Sequence, residues 1–180
     1  MSKPRLMLEG LAERHEGLTP RIAEYYAEAA RVCLDRHHQP PVDFRIENAG
    51  TSLDATTEWF PADDRTRRAW ANETDATEVG AYACSLAAVE LAAGLVAIHR
   101  AETKTGADYY IAPPGTSPED LEGCLRLEVS GVDRGGPTAV AQRLRVKLDQ
   151  AARGQSNLPA MAGVVGFGAR IILFSRLENR

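Results

Sequence analysis

Short apolar segments with a two-residue period alternate along the chain with longer segments that have a helical period. The helical period predicts helices over residues 20–36, 76–93 and 137–153. The two-residue period and short apolar runs predict strands over residues 42–47, 95–101, 107–112, 124–131, 160–165 and 169–174. Residues 48–60 show no clear period and are predicted to form turns, and residues 63–70 to form a short charged helix.

Two of the predicted helices have recognisable boundary residues. Thr19-Pro20 predicts an N-cap followed by proline at the first helical position. Asp75 followed by Glu78 fits a capping-box pattern, so the next helix is predicted to begin at residue 76. Gly94 is predicted to end that helix.

From residue 76 the order of elements is helix, three strands, helix and two strands. The first three strands are joined by short turns, which predicts an antiparallel meander, and the strand after the second helix is predicted to join the same sheet by a crossover. The fold class is therefore α/β, with a mixed central sheet flanked by helices. A chain of 180 residues is expected to form a single domain over 1–180, in which residues 1–75 add a helix and a strand to a core of residues 76–175.

Composition narrows the class of protein. Hydrophobic residues make up 44% and charged residues 26%, as in globular proteins, and no apolar run approaches the ~20 residues of a membrane span. The net charge of −4 excludes a histone-like nucleic-acid binder but not a nuclease with a local basic patch. The absence of an export signal and three widely spaced cysteines (Cys33, Cys84 and Cys124) predict buried free thiols in a cytoplasmic protein with no membrane partner.

Two carboxylates fall on neighbouring strands of the predicted meander. Asp108 lies at the start of the second strand and Glu128 lies on the third. Side chains on neighbouring strands of a hairpin can point to one face, so we expect these groups to converge. Oxygen ligands of this kind suit Mg²⁺ or Mn²⁺, and such an ion can activate water and offset the charge of a phosphodiester.

With an acid at the start of strand two and the run Glu128-Val129-Ser130 on strand three, residues 76–175 resemble the PD-(D/E)XK nuclease superfamily, which has the restriction-endonuclease-like fold. The resemblance implies that Asp108 and Glu128 are catalytic metal ligands and that the Val129 carbonyl completes the metal site. The superfamily usually has lysine two residues after the glutamate. This chain has Ser130 there and so resembles a divergent member.

The helix after the third strand offers replacements for the missing lysine. In several branches of the superfamily this helix supplies a glutamine or a relocated lysine, so the resemblance implies that Lys147 is the catalytic cation and Gln150 a positioning residue. The same helix carries Arg143 and Arg145, and Arg153 lies at its end. These three arginines are predicted as nucleic-acid contacts; the alternative is that they form a solvated helix face together with Lys147.

The resemblance also implies a third acid from the helix that precedes the first core strand, where Glu78 and Glu90 compete. The strand over residues 95–101 rises ~23 Å at ~3.3 Å per residue, and the helix needs ~15 residues to return that distance. Counting back from Gly94 reaches Glu78, so Glu78 is the favoured metal ligand; its alternative role is helix capping. The three histidines His15, His37 and His38 are assigned to the surface.

The predicted function is divalent-metal-dependent hydrolysis of DNA or RNA, with Mg²⁺ or Mn²⁺ as cofactor and, by analogy of fold, a role in defence or a toxin-like system. A small acidic chain of this type is expected to act as a homodimer or with a partner protein that completes a basic groove. The alternative is a catalytically inactive relative that serves as a structural or protein-interaction module, which Ser130 and the negative net charge favour. An unrelated small-molecule enzyme stays open, although the sequence contains no Gly-x-Ser-x-Gly motif.

Overall fold

A computed structural model of the chain describes residues 1–177, so the last three residues of the predicted domain lie outside the described residues. The helices are α1 (Leu11–Arg14), α2 (Pro20–His37), α3 (Asp64–Ala69), α4 (Glu73–Ala93) and α5 (Pro137–Ala152). The strands are β1 (Val42–Asn48), β2 (Thr51–Thr57), β3 (Val96–Arg100), β4 (Tyr109–Ala112), β5 (Leu125–Val132), β6 (Ala160–Gly166) and β7 (Ile171–Arg176).

All seven strands form one open mixed sheet in the order β2-β1-β7-β6-β5-β4-β3. The strands β3, β4 and β5 pair antiparallel, and β6 pairs parallel with β5 after the crossover through α5. The expected α/β class with a mixed sheet flanked by helices is therefore confirmed. The meander differs in detail, because β4 has only four residues and begins after Asp108, which was expected inside the strand.

Helices cover both faces of the sheet. The alternation of side chains along β5 turns Leu127 and Val129 towards α4, whose residues pack with them in the main apolar core. The opposite face carries Glu128 and is covered by α5. Helix α2 packs against α4, and β1 pairs parallel with β7. The segment predicted as an addition to the core thus extends both the sheet and one helical layer.

Two predictions of secondary structure before residue 76 are wrong: one strand was missed, and the start of α4 was placed too late. The turn-rich segment contains β2, which pairs with β1 along its full length. Its inward positions Ala55 and Thr57 are fully buried but small or polar, so they leave no apolar period in the sequence. The N-cap of α4 is Asn72, which accepts the N–H groups of Thr74 and Asp75, so Asp75 lies within the first turn.

Short backbone contacts cover both edges of the sheet. At the outer edge of β2, Leu6 N–H donates to Thr56 O at 2.9 Å and Thr56 N–H donates to Pro4 O at 2.9 Å. At the outer edge of β3, Gly17 N–H donates to Ala97 O at 2.9 Å. These contacts satisfy edge groups that would otherwise pair with another chain.

The burial predicted for the cysteines agrees with the structure, but the exposure predicted for the histidines agrees only in part. The three cysteines are buried and unpaired among the described residues, as predicted. The surface assignment is wrong for His15, which is fully buried, whereas His37 and His38 are partly buried. Within the described part of the chain, no helix combines the length and the apolar character that a membrane crossing requires.

The contact between α2 and α4 depends on Gly80. A Cβ atom at this position would lie 2.9 Å from both the Cα and the N of Ala30, which is closer than two such atoms can approach. We predict that Gly80→Ala lowers the free energy of unfolding by about 1–3 kcal/mol, although alanine is the better helix former by about 1 kcal/mol. Urea unfolding followed by circular dichroism measures the change. Gly123→Ala is the control, since no atom lies within 4 Å there, and an equal midpoint for both variants contradicts the prediction.

His15 fixes the N-terminal segment to the edge of β3. Its Nδ1 accepts the Ala97 N–H at 2.9 Å, so the ring is neutral with its proton on Nε2, which lies 3.4 Å from Glu90 Oε2. Burial lowers the pKa of His15 to about 4, against the attraction of Glu90.

A histidine whose pKa is lower in the folded state makes the protein lose stability as the pH falls. We predict a loss between the usual histidine pKa near 6.5 and pH 4, with a slope of up to ~1.4 kcal/mol per pH unit. In His15→Gln, whose amide oxygen can still accept from Ala97, this slope should diminish. Unfolding midpoints measured from pH 7 to pH 4 test this, and identical pH profiles for both proteins refute it.

Candidate functional site

The different lengths of β4 and β5 create a cleft beside the sheet. Asp108 N–H donates to Leu127 O at 2.8 Å, and from Glu128 onwards β5 continues past the beginning of β4. The resulting cleft has a volume of about 630 Å³ and is polar. Its lining includes residues of α4, β3, the β3–β4 turn, β5 and α5: Glu78, Tyr82, Arg100, Glu102, Lys104, Asp108, Glu128, Val129, Ser130, Lys147 and Gln150.

Two hydrogen bonds hold the carboxylate of Asp108 at the inner wall of the cleft. Tyr82 OH donates to Oδ1 at 2.7 Å, and Val129 N–H donates to Oδ2 at 2.8 Å. The side chain is only 15% exposed. Each carboxylate oxygen still has a lone pair for another partner, so the group is held in place without being saturated.

Glu128 lies next to Asp108 and is almost completely buried, with 6% of its side chain exposed. Burial raises the pKa of Glu128, and the negative charge of Asp108 raises it further. The Lys147 ammonium opposes both effects through a hydrogen bond of 2.9 Å from Nζ to Glu128 Oε1. The two carboxyl groups are thus close enough to repel each other.

Lys147 reaches the Glu128 carboxylate from α5. Its Nζ also donates to Gln150 Oε1 at 3.1 Å, so the two residues one turn apart hold each other. Ser130 points to the same face of β5 as Glu128 and is buried, but its side chain carries no charge. The positive charge next to Glu128 therefore comes from a helix and not from the strand.

The Val129 carbonyl points towards the same cleft. Backbone N–H and C=O groups of one strand residue lie on the same edge, and Val129 N–H points to Asp108. The Leu127 carbonyl, two residues earlier, also points to this edge, since it accepts from Asp108 N–H. A carbonyl oxygen and two carboxylates thus face one space.

Of the competing glutamates, Glu78 lines the cleft, where it is exposed at the rim. Glu90 lies towards the other end of α4 and contacts Arg14 at 2.9 Å and His15 at 3.4 Å. Among residues 1–177, no group of three histidine, cysteine or acidic side chains comes together closely enough to hold a metal ion. Glu78 therefore does not complete a three-carboxylate set in this conformation.

The three arginines predicted as nucleic-acid contacts do not line the cleft. Arg143 and Arg145 are exposed on α5. Arg153 lies just after α5 and lines a separate pocket of about 610 Å³ that also contains Asp149. Exposure on a helix fits both a solvated face and a nucleic-acid contact, so the role of Arg143 and Arg145 stays a prediction.

Sequence reasoning missed two residues of the cleft, Tyr82 and Arg100. Tyr82 lies one turn beyond Glu78 on α4, so its position could have been found from helical spacing. Arg100 is the last residue of β3 and pairs with Tyr109, the residue after Asp108. Its guanidinium lies 3.5 Å from Asp108 Oδ1.

The donor groups fit a small divalent cation. Asp108, Glu128 and the Val129 carbonyl supply only oxygen atoms, which Mg²⁺ and Mn²⁺ prefer. Burial raises the pKa of Glu128 and the charge of Asp108 adds to this, so a cation bound beside both groups would favour the ionised form of Glu128. Comparison of the chain with protein-family models, with curated proteins and with solved structures gives no match, so the geometry of the cleft carries the functional argument.

The contact between Lys147 and Glu128 can be tested without a ligand. Burial and Asp108 raise the pKa of Glu128, and Lys147 lowers it. Because Lys147→Met removes the lowering effect, we predict a further rise of the pKa of Glu128 in this variant. A carboxyl group whose pKa is raised by folding costs stability as the pH rises through that pKa. The variant should therefore lose about 1–3 kcal/mol more than the wild type between pH 4 and pH 8.

Unfolding midpoints across this pH range, with the ¹³C shift of the Glu128 carboxyl carbon as a direct monitor, measure the effect. Arg143→Met is the matched control, since it removes one positive charge from an exposed position of the same helix. If both variants give the same pH profile, Lys147 does not neutralise Glu128.

Proposed function

We propose that the protein is a divalent-metal-dependent phosphodiesterase that cleaves nucleic acid, and that it is a divergent member of the PD-(D/E)XK superfamily with a restriction-endonuclease-like fold. The observation that carries this proposal is the meeting of Asp108 and Glu128 in one cleft with Lys147 and Gln150. The order of helix, antiparallel meander, crossover helix and parallel strand supports the same assignment.

The groups that would hold Mg²⁺ or Mn²⁺ are Asp108, Glu128 and the Val129 carbonyl, with Glu78 as a further acid at the rim of the cleft. When bound, such an ion supplies an activated water and offsets the charge of the phosphodiester. Glu128 must release its proton to act as a ligand, so the raised pKa of this residue makes the affinity for the ion increase with pH.

The remaining polar residues of the cleft have distinct roles in this proposal. Lys147 takes the place of the superfamily lysine that Ser130 replaces, and its ammonium stabilises negative charge that develops on the phosphate. Gln150 orients the ammonium through the 3.1 Å contact and presents its amide N–H groups to the cleft. Tyr82 and Val129 N–H keep Asp108 in position for the reaction.

A second candidate function is a catalytically inactive relative that acts as a structural or interaction module. The observation in its favour is the direct contact of Lys147 with Glu128, because a carboxylate that already has a cationic partner has less need of a metal ion. The net charge of −4 agrees with such a role. The two candidates differ in whether a divalent ion can replace Lys147 as the partner of Glu128.

Metal binding separates the two candidates. We expect isothermal titration with Mn²⁺ to show one site in the wild type, and Asp108→Asn or Glu128→Gln to weaken binding at least tenfold, about 1.4 kcal/mol. Asp149→Asn is the control, since this exposed carboxylate lies outside the cleft. Titrations at pH 6 and pH 8 should show tighter binding at the higher pH.

The same proteins are then incubated with Mn²⁺ and with single-stranded DNA, duplex DNA or RNA, and the products are separated by electrophoresis. The proposal expects cleavage by the wild type and the control, and a loss of at least a hundredfold in both cleft variants. Millimolar Mn²⁺ that neither binds nor supports cleavage excludes the phosphodiesterase and leaves the interaction module.

A further inference from the structure

Arg100 is held at the mouth of the cleft by two aromatic rings. Its guanidinium carbon lies 4.8 Å from the centre of the Tyr109 ring and 5.1 Å from the centre of the Tyr82 ring. Both distances are within the range of cation–π contacts. The rings are themselves fixed, since Tyr109 OH and Tyr26 OH share a hydrogen bond of 2.7 Å and Tyr82 stacks on Tyr26 at 4.8 Å.

Among residues 1–177, this fixed guanidinium has only loose polar partners. The closest atoms are Asp108 Oδ1 and Tyr82 OH, both at 3.5 Å from Nη2. Charge-assisted hydrogen bonds of guanidinium groups are normally about 2.7–2.9 Å long. Half of the side chain is exposed, so the guanidinium can meet a ligand that enters the cleft.

The other two cations of the cleft are placed differently. Lys147 is mostly buried and already contacts Glu128 and Gln150. Lys104 is exposed on the β3–β4 turn, where its backbone has a φ of 74° and no aromatic ring holds its side chain. Among the described cations of the cleft, Arg100 therefore combines a fixed position with exposed donors.

We infer that Arg100 binds a phosphate group of the substrate, a role that rests on the proposed phosphodiesterase function. The planar guanidinium can donate two parallel hydrogen bonds to one phosphate, which a lysine ammonium cannot. Arg100 contacts Asp108 and Lys147 contacts Glu128, so each carboxylate of the pair has its own cation. A phosphate bound beside the carboxylates would thus lie near two cations.

The position of Arg100 also makes it a competitor for Asp108. Acidic groups outnumber basic groups by one in the lining of the cleft, and a divalent ion would reverse that sign. A guanidinium 3.5 Å from Asp108 Oδ1 opposes such an ion, and a phosphate relieves the repulsion. Removing Arg100 should therefore strengthen metal binding while it weakens phosphate binding.

These opposite effects distinguish a phosphate-binding residue from one that only maintains the structure. The experiment measures the Kd of a fluorescein-labelled single-stranded DNA oligonucleotide with phosphorothioate linkages by anisotropy, in the presence of Ca²⁺ as an oxygen-binding ion. Titration calorimetry with Mn²⁺ in the absence of DNA gives the second affinity. Both are measured for the wild type, Arg100→Ala, Arg100→Lys and Arg45→Ala, after their thermal unfolding midpoints have been compared.

We expect Arg100→Ala to weaken DNA binding about tenfold or more and to bind Mn²⁺ at least as tightly as the wild type. Arg100→Lys should recover part of the DNA affinity, because it restores the charge without the planar group. Arg45→Ala is the matched control. This arginine is 58% exposed on β1, pairs with Glu47 at 2.9 Å and is separated from β3 by several strands.

Three results overturn the inference. Equal loss of DNA affinity in Arg100→Ala and Arg45→Ala means that Arg100 contributes only through the overall charge of the protein. Loss of both DNA and Mn²⁺ affinity in Arg100→Ala means that Arg100 maintains the structure of the cleft. A wild type that binds Mn²⁺ but no DNA also rejects the phosphate role. A wild type that binds neither contradicts the proposed function itself, which is a different result.

Discussion

The mutual repulsion of Asp108 and Glu128 is the constraint on which the candidate site depends. Two carboxylates that are 15% and 6% exposed are placed together, and each needs hydrogen bonds or positive charge nearby. The chain supplies both, because Asp108 receives a tyrosine hydroxyl and a backbone N–H, while Glu128 receives an ammonium. The groups that stabilise the two neighbouring carboxylates therefore come from three different elements, α4, β5 and α5.

The fold produces this arrangement by ending one strand early. Because β4 begins at Tyr109, the backbone of β5 at Val129 has no strand partner on that side and turns its N–H to a side chain. The turn before β4 is held in place by Gly106, whose φ of 67° and close approach to Gly154 suit a residue without a side chain. The crossover helix α5 then covers the opposite face and brings Lys147 to Glu128.

The N-terminal region contributes to the cleft from a distance. Tyr26 on α2 contacts both Tyr82 and Tyr109, the two rings that hold Arg100. The close contact of α2 with α4 at Gly80 lies within one turn of Tyr82. The geometry of the cleft thus depends on residues that the sequence interpretation assigned to an addition outside the core.

Helices and strands with a regular apolar repeat were predicted well from the sequence. Features that depend on tertiary contacts were predicted poorly. Counting residues along α4 correctly placed Glu78 rather than Glu90 at the level of the cleft. The rise per residue does not give the direction in which a side chain points around the helix axis, and Glu78 lies exposed at the rim. Arg100 was missed because the β3–β4 pairing is shifted by an irregularity between Ala97 and His99, which changes the alternation of side chains. The small buried residues of β2 gave no apolar period at all.

The cation beside Glu128 comes from a helix and not from the strand that carries Glu128, and this has a geometric consequence. A lysine at position 130 would lie two residues, or about 6.6 Å, along the same strand as Glu128, and its charge could move only with the strand. Lys147 belongs to α5 and reaches Glu128 from across the layer, so a small shift of the helix changes the distance between the cation and the carboxylates. In this chain, the packing of α5 on the sheet therefore determines how much positive charge Glu128 receives from Lys147.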